Sequence, residues 1–214
     1  MIRTLTACLL TLSALPAMAQ TAPAPAPAPV PSATPAKPLP RVALTTSAGV
    51  ITVEVDNVHA PISGGNFLRY VDQKRLDGAP FYRVVKVQDH FGFVQFGVNG
   101  APGKVLPPIK HEPTTVTGIK HTDFTLSTPR RAPGTARGDF TILLGDQPSF
   151  DADPSKPGDN LGFAAFAHVV DGKDVVLKIF DAPNSPTATL TGGYFKGEIP
   201  AAQVKILTAR RVAN

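Results

Sequence analysis

Short runs in which apolar and polar residues alternate dominate the chain from residue 41 onward. Residues 41–55 read RVALTTSAGVITVEV, with one alternating segment on each side of Ser47, Ala48 and Gly49. A period of two is typical of half-buried strands, and a short glycine-containing turn between two such runs indicates a β-hairpin. The pattern therefore predicts that the domain opens with two antiparallel strands.

Six further segments fit strands separated by turns that contain glycine, proline or aspartate. They comprise residues 81–87, 91–98, 124–128, 139–145, 162–170 and 203–212. Together with the hairpin they bring the prediction to about eight strands.

Two segments have the apolar spacing of helices. The first starts near Pro61 with Ser63 as a candidate cap, and it ends at Asp77 and Gly78. The second covers residues 171–181, with Asp171 as its candidate cap. The apolar stripes of these helices are Phe67, Leu68 and Val71 in the first and Val175, Val176 and Ile179 in the second.

Two helices among about eight strands are too few for a parallel sheet, which needs a crossover helix between most strands. The economical architecture is mainly β. We expect a closed, eight-stranded antiparallel β-barrel capped by the two helices.

The first 19 residues have the composition of a secretory signal peptide. Arg3 supplies a positive charge, residues 5–15 are mostly apolar, and residues 17–19 read Ala-Met-Ala before Gln20. The apolar run is too short to span a membrane. We therefore expect export and, most simply, a periplasmic location. The chain's single cysteine, Cys8, lies in this segment, so the mature protein would have no disulfide and no thiol nucleophile.

Residues 20–40 are rich in alternating alanine and proline, which cannot build a core or a hydrogen-bonded ladder. This composition predicts a disordered, semi-stiff spacer of polyproline type. The folded domain would then be residues 41–214.

The charge distribution and the histidine spacing argue against nucleic-acid binding and against a metal site. The formal net charge is +5 and becomes +4 once Arg3 is removed, with lysine and arginine scattered along the chain. No basic run indicates nucleic-acid binding. The five histidines lack the spacing of metal ligands, so we expect no metal and no cofactor. We also expect a monomer.

Arg83 is the most informative residue because it lies in the apolar strand segment FYRVVKV. Burying a guanidinium without a partner is costly. Either Arg83 points to solvent from a half-exposed strand, or its charge is required in a cleft. Alternation places Phe81, Arg83 and Val85 on one face.

Six segments, taken in order, resemble the cyclophilin-type peptidyl-prolyl cis-trans isomerases from about Val42 to Val212. The opening hairpin, the first helix and FYRVV resemble the family's hairpin, helix and F-[HY]-R-[VI]-[VI] strand. FVQFGVNG is similar to the family's F-x-x-Q-G-G strand. The remaining two segments are TPRRAPGTARGDFTILLGDQP and GFAAFAHVVDGKDVV.

The resemblance implies a cyclophilin-like barrel and catalysis of X-Pro bond rotation without a cofactor. Its partners would be unfolded or proline-containing exported polypeptides. It also implies that Arg83 is catalytic, since a permanent cation can bind the twisted prolyl amide better than either planar isomer. The substrate-binding positions implied by the family motifs are Phe93 (preferred over Phe91), Gln95, Arg130, Asp139, Thr141, Phe150 and Phe163.

Two positions depart from the family pattern. Thr141 stands where a phenylalanine normally walls the proline pocket, and Pro129 stands where alanine is usual. A smaller side chain in the pocket would weaken proline binding, and Pro129 removes a backbone donor. The alternative hypothesis is a weakly active or inactive module that binds proline-containing peptides in the same groove.

Overall fold

The computed structural model describes residues 38–190 and 192–213. The predicted signal peptide, residues 1–19, and all but the end of the predicted spacer lie outside the described residues. Within the described ranges, no helix is long and apolar enough to cross a bilayer.

Eight strands form one antiparallel sheet, which confirms the predicted fold class. The spatial order is β3-β4-β6-β5-β7-β2-β1-β8. The strands are β1 Arg41–Thr46, β2 Gly49–Val55, β3 Phe81–Gln88, β4 Phe91–Gly97, β5 Thr125–Thr128, β6 Asp139–Leu144, β7 Ala164–Asp171 and β8 Ile206–Val212.

The sheet curls until its outer strands, β3 and β8, approach each other. They are joined over a short segment in which Gly78 N donates to Ile206 O (2.7 Å) and Ile206 N to Ala79 O (2.8 Å). Phe81 N donates to Val204 O (2.8 Å). These bonds join only the residues at or just before the starts of β3 and β8. The barrel is curled and nearly closed, so the prediction of a closed barrel slightly overstates its closure.

Helices cover the barrel as predicted, and the described residues contain two short helical segments in addition, one of them a 3-10 helix at Pro148–Phe150. Helix α1 (Pro61–Asp72) contacts β7 and β8, whereas α3 (Lys173–Asp181) contacts β2 and β4. The four-residue helix α2 (Thr114–Thr117) was not predicted, because it is too short to show helical periodicity.

Both predicted helix caps are wrong. Ser63 lies inside α1, where Pro61 occupies the first turn, and the Ser63 hydroxyl is buried without a hydrogen-bond partner. The carboxylate of Glu112 accepts the first helical amides in its place. Asp171 belongs to β7, and Gly172 precedes α3 with a φ of +78°. A left-handed φ at that point suits glycine.

The strands use their two faces differently. Val94 and Phe96 of β4 and Phe140 and Ile142 of β6 are completely buried inside the barrel. Residues between them point to the outer face, because side chains alternate along a strand. The outer face of β3, β4, β5 and β6 is therefore available for a site.

A bulge in β3 changes the predicted face of one residue. Phe81 pairs with Phe96 and Arg83 pairs with Gln95, with a register shift between them. Since Gln95 and Phe96 are neighbours on β4, Phe81 and Arg83 must face opposite sides. The prediction that Phe81 shares a face with Arg83 is wrong, because the bulge at Tyr82 interrupts the alternation.

Candidate active site

A groove of about 620 Å³ lies on the outer face of β3, β4, β5 and β6, at the loops that follow them. The structure brings all the site residues inferred from the sequence to this groove. They are Arg83, Phe93, Gln95, Arg130, Asp139, Thr141, Phe150 and Phe163.

Arg83 faces the groove rather than the barrel interior. Its Nε donates to Glu198 Oε2 at 2.6 Å, and its Nη1 donates to Gln95 Oε1 at 3.3 Å. The guanidinium carbon lies 3.9 Å from the centre of the Phe195 ring and 5.1 Å from that of Phe93. Of the two alternatives for Arg83, the structure shows the cleft: Arg83 lines the groove and is paired with Glu198.

Three aromatic rings form the apolar side of the groove. Phe150 lies between the other two, with ring centres 6.2 Å from Phe93 and 5.1 Å from Phe163. Phe91, the less favoured alternative to Phe93, contacts Gly145. The rings provide the kind of surface that buries a proline side chain.

A chain of hydrogen bonds runs from Arg83 along the polar side. Gln95 accepts from Arg83 through Oε1 and donates through Nε2 to the Tyr82 hydroxyl at 2.7 Å. Asp139 lies near Tyr82, and its carboxylate accepts from the Asn99 amide at 2.8 Å. Burial raises the pKa of Asp139 above its usual range and also raises the pKa of Tyr82. This chain fixes the orientation of the Gln95 amide.

Arg130 borders the groove, but its guanidinium is occupied. Nε donates to Gly162 O at 2.8 Å, and the two terminal nitrogens bind the carboxylate of Asp159. The Arg130 side chain is 5% exposed. The pair also lowers the pKa of Asp159. The Arg130 side chain thus ties together two loops at the groove.

A buried histidine supports the floor of the groove. His121 Nε2 lies 2.9 Å from Ser127 Oγ, and its Nδ1 lies 2.7 Å from Asp151 Oδ1. The His121 ring also packs edge-on against Phe150, with centres 5.9 Å apart. Burial lowers the pKa of His121, and hydrogen bonding to Asp151 opposes that shift. Thr141 is buried beside this floor, where it pairs across the strands with Gln95 and Ser127.

Residues 41–211 match the family model described as "Cyclophilin type peptidyl-prolyl cis-trans isomerase/CLD". The chain belongs to this family. A curated peptidyl-prolyl cis-trans isomerase of Acinetobacter baylyi is 32% identical over 173 residues, covering 79% of this chain and 84% of the relative. Peptidyl-prolyl cis-trans isomerase B of Escherichia coli is 33% identical over 146 residues, covering 64% of this chain and 82% of the relative. The chain is therefore a cyclophilin-type isomerase.

The fold is shared with a solved cyclophilin type peptidyl-prolyl cis-trans isomerase of Cryptosporidium parvum, whose structure was determined in the presence of the dipeptide Ala-Pro. The TM-score is 0.63 at 17% identity, over 81% of this chain and 99% of that one.

The sequence analysis of this cyclophilin missed Phe195, which lines the groove, and Glu198, which binds Arg83. Both lie in the segment between α3 and β8, which resembles neither a strand nor a helix in its periodicity. The available signal was the run GGYF, in which two aromatic residues follow two glycines. In the part of the chain that the structure describes, no group of three or more His, Cys, Asp or Glu side chains could hold a metal ion.

Proposed function

We propose that Arg83 catalyses X-Pro bond rotation in this cyclophilin by stabilising the twisted prolyl amide in the groove. The single observation that supports this most strongly is the position of the Arg83 guanidinium. It borders the same groove as the rings of Phe93, Phe150 and Phe163.

Catalysis of this rotation requires the enzyme to bind the twisted peptide bond better than the planar one. A prolyl peptide bond rotates over a barrier of roughly 18–20 kcal/mol, because the nitrogen lone pair is delocalised into the carbonyl. Rotation interrupts that conjugation, so the nitrogen becomes pyramidal and a better hydrogen-bond acceptor. A donor placed at that nitrogen binds the twisted state better than either planar isomer and lowers the barrier. No proton, nucleophile or cofactor is consumed.

Arg83 retains donors for this task. Its Nε is engaged by Glu198 and its Nη1 makes a long bond to Gln95. Within residues 38–190 and 192–213, Arg83 Nη2 has no hydrogen-bond partner, so its two N–H groups are free for a substrate. The charge stays constant across physiological pH because an arginine side chain does not deprotonate there.

The aromatic side of the groove would hold the proline ring. Burying a side chain of that size contributes roughly 1.5–3 kcal/mol. Gln95, held by Tyr82, would bind the substrate backbone through its amide. Thr141 supplies less apolar surface than a phenylalanine, so we expect moderate affinity for proline peptides.

A protease-coupled assay with a peptide containing a cis-proline bond tests the proposal. We expect wild-type protein to accelerate isomerisation and Arg83→Ala to lose about 100-fold or more of the activity, the cost typical of removing one charge-stabilising donor. Arg131→Ala is the matched control, since Arg131 also borders the groove but is exposed. We expect it to retain most of the activity.

The assay also separates the two hypotheses. Wild-type protein that binds unfolded or proline-containing chains without accelerating isomerisation would favour the binding module. Equal activity of the Arg83→Ala and wild-type proteins would refute the arginine mechanism.

We further propose that the enzyme is exported to the periplasm and acts on exported polypeptides. The composition of residues 1–19 supports this. A putative thylakoid lumen peptidyl-prolyl cis-trans isomerase of Synechocystis is 28% identical over 181 residues, covering 71% of this chain and 47% of that relative. Uncatalysed X-Pro isomerisation takes tens to hundreds of seconds and can limit folding.

Cell fractionation with N-terminal sequencing tests export. We expect a periplasmic protein that begins at Gln20. Recovery of the uncleaved chain in the cytoplasm would contradict this part of the proposal.

A further inference from the structure

We propose that Glu198 and Phe195 are positioning residues for Arg83 and that they complete the active site from the segment between α3 and β8. This inference rests on the proposed role of Arg83. Glu198 would fix the orientation of the Arg83 guanidinium through Nε. The Phe195 ring would stack on one face of the guanidinium and would also form part of the groove surface that the substrate contacts.

The segment is docked on β3 by its backbone, independently of the ion pair. Glu198 O accepts from Val84 N at 2.7 Å. The Asn184 side-chain amide donates to Val84 O at 3.0 Å and to Gly197 O at 2.9 Å. Because β3 is an outer strand of the sheet, its outward amides need partners from outside the sheet. The segment supplies these partners, so the Glu198 backbone should stay in place when its side chain is changed.

The Glu198 carboxylate binds Nε of Arg83, the guanidinium nitrogen nearest the backbone. The bond from Nε measures 2.6 Å, and the two side chains are only 21% and 33% exposed. An arginine side chain has several freely rotating bonds, so without such a contact its terminal nitrogens would sample many directions. The Gln95 bond of 3.3 Å is too long to provide the same restraint. With Nε bound to Glu198 and Nη1 to Gln95, Nη2 is left for the substrate.

The Phe195 ring restrains the guanidinium from a different direction. Its centre lies 3.9 Å from the guanidinium carbon, closer than the 5.1 Å of Phe93. Arginine stacks well on aromatic faces. The Phe195 ring also borders the groove, so it lies where a bound peptide would contact it.

The backbone at Phe195 is unusual in a way that supports a specific role. Its φ is +62°, a conformation that non-glycine residues adopt infrequently. Gly193 and Gly197 on either side also have positive φ values, +79° and +82°. Glycine would be the unstrained residue at such a position. Backbone strain of this kind persists only where the surrounding structure holds it, which fits a defined position for the Phe195 ring.

Kinetics at varied peptide concentration test the Glu198 contribution. We expect Glu198→Ala to lower kcat about tenfold with KM within twofold, because the substrate pocket remains. Glu198→Gln keeps an acceptor for Nε, and we expect it to restore kcat to within threefold of wild type. Circular dichroism melts of both variants establish that the fold is intact. If Glu198→Ala does not fold, the Phe195→Ala measurement described below tests the proposal.

An NMR signature separates positioning from a general structural effect. The Arg83 Nε proton should resonate downfield and exchange slowly with water in the wild-type protein and in Glu198→Gln. In Glu198→Ala it should move upfield and exchange at least tenfold faster. A merely structural role for Glu198 would not change this signal.

Phe195→Ala tests the stacking ring, and the neighbouring Tyr194→Ala is its matched control. Tyr194 is 63% exposed and does not border the Arg83 groove. We expect Phe195→Ala to lower kcat/KM at least fivefold and Tyr194→Ala to leave it within twofold. Equal effects of the two substitutions would overturn the role of Phe195.

The failure of this inference is distinguishable from the failure of the proposed function. If Arg83→Ala is inactive but Glu198→Ala keeps wild-type kcat and an unchanged Arg83 Nε signal, the positioning role is wrong and the arginine mechanism stands. If Arg83→Ala keeps full activity, the mechanism itself is wrong and the role of Glu198 falls with it.

Discussion

The start of helix α1 provides a prediction about stability that can be worked out from the structure. Glu112 lies about fifty residues away along the chain, yet its two carboxylate oxygens accept from Ile62 N (2.9 Å) and Ser63 N (2.6 Å). Glu112 is only 6% exposed. Its carboxylate therefore satisfies two amides that have no partner inside the helix, and it places a negative charge at the positive end of the helix.

Glu112→Ala should remove both effects. Loss of a helix cap costs about 1 kcal/mol, the charge at the helix terminus contributes roughly 0.3–1 kcal/mol, and an orphaned buried amide costs roughly 1–3 kcal/mol. These ranges overlap because they describe the same amides, so we expect a loss of about 2–4 kcal/mol in the free energy of unfolding. A domain of this size should then melt about 4–16 °C lower.

Urea unfolding and thermal melts of the full chain measure this loss. Glu54→Ala is the control, because Glu54 pairs with Arg41 at the surface, with side chains 31% and 40% exposed. Pairs of that kind contribute roughly 0–1 kcal/mol. A Glu112→Ala variant no less stable than Glu54→Ala would refute the capping argument.

Three further predictions concern single positions. Burial raises the pKa of Asp139 in the folded state, so ionising its carboxylate lowers the stability of the fold at high pH, and this cost disappears as the pH falls. The melting temperature of Asp139→Asn should therefore rise relative to that of wild type from pH 4 to pH 8, and a pH-independent difference would contradict this. Thr141→Phe adds apolar surface to the proline pocket, so KM for a proline peptide should fall severalfold; an unchanged or higher KM would argue against pocket filling. Arg210 binds both Asp77 oxygens at 2.8 Å and lowers the Asp77 pKa, so that carboxylate stabilises the fold above its ordinary pKa of 3.8 and less as the pH falls below it. In urea, Asp77→Asn should be less stable than wild type at pH 7 and should converge with it near pH 2, whereas a constant difference would refute the linkage.

The strands could be predicted from the sequence because their signal is local. A period of two along five to eight residues reports which side chains face the core, and it does so without knowledge of the partner strand. The same pattern could not report how far the sheet closes. Closure depends on hydrogen bonds such as that between Gly78 and Ile206, which are far apart in the chain.

The helix caps and part of the site could not be predicted from the sequence, because they too depend on contacts between residues far apart in the chain. Ser63 satisfied every local criterion for a cap, but the acceptor that the fold supplies is Glu112. Arg83 and Gln95 could be found because they lie in recognisable motifs. Glu198 contacts Arg83 across 115 residues from a segment without regular periodicity, so only the folded structure shows this contact.

The bulge in β3 explains how an apolar strand can carry a charged residue toward a groove. With unbroken alternation, Arg83 would share the face of Phe81, whose side chain is completely buried inside the barrel. Burying a guanidinium there without a partner would be costly. The extra residue, Tyr82, turns Arg83 to the outer face, a use of bulges that is common beside active sites. The hydroxyl of the same tyrosine then accepts the Gln95 amide at 2.7 Å. One inserted residue thus moves the cation out of the core and orients the amide beside it.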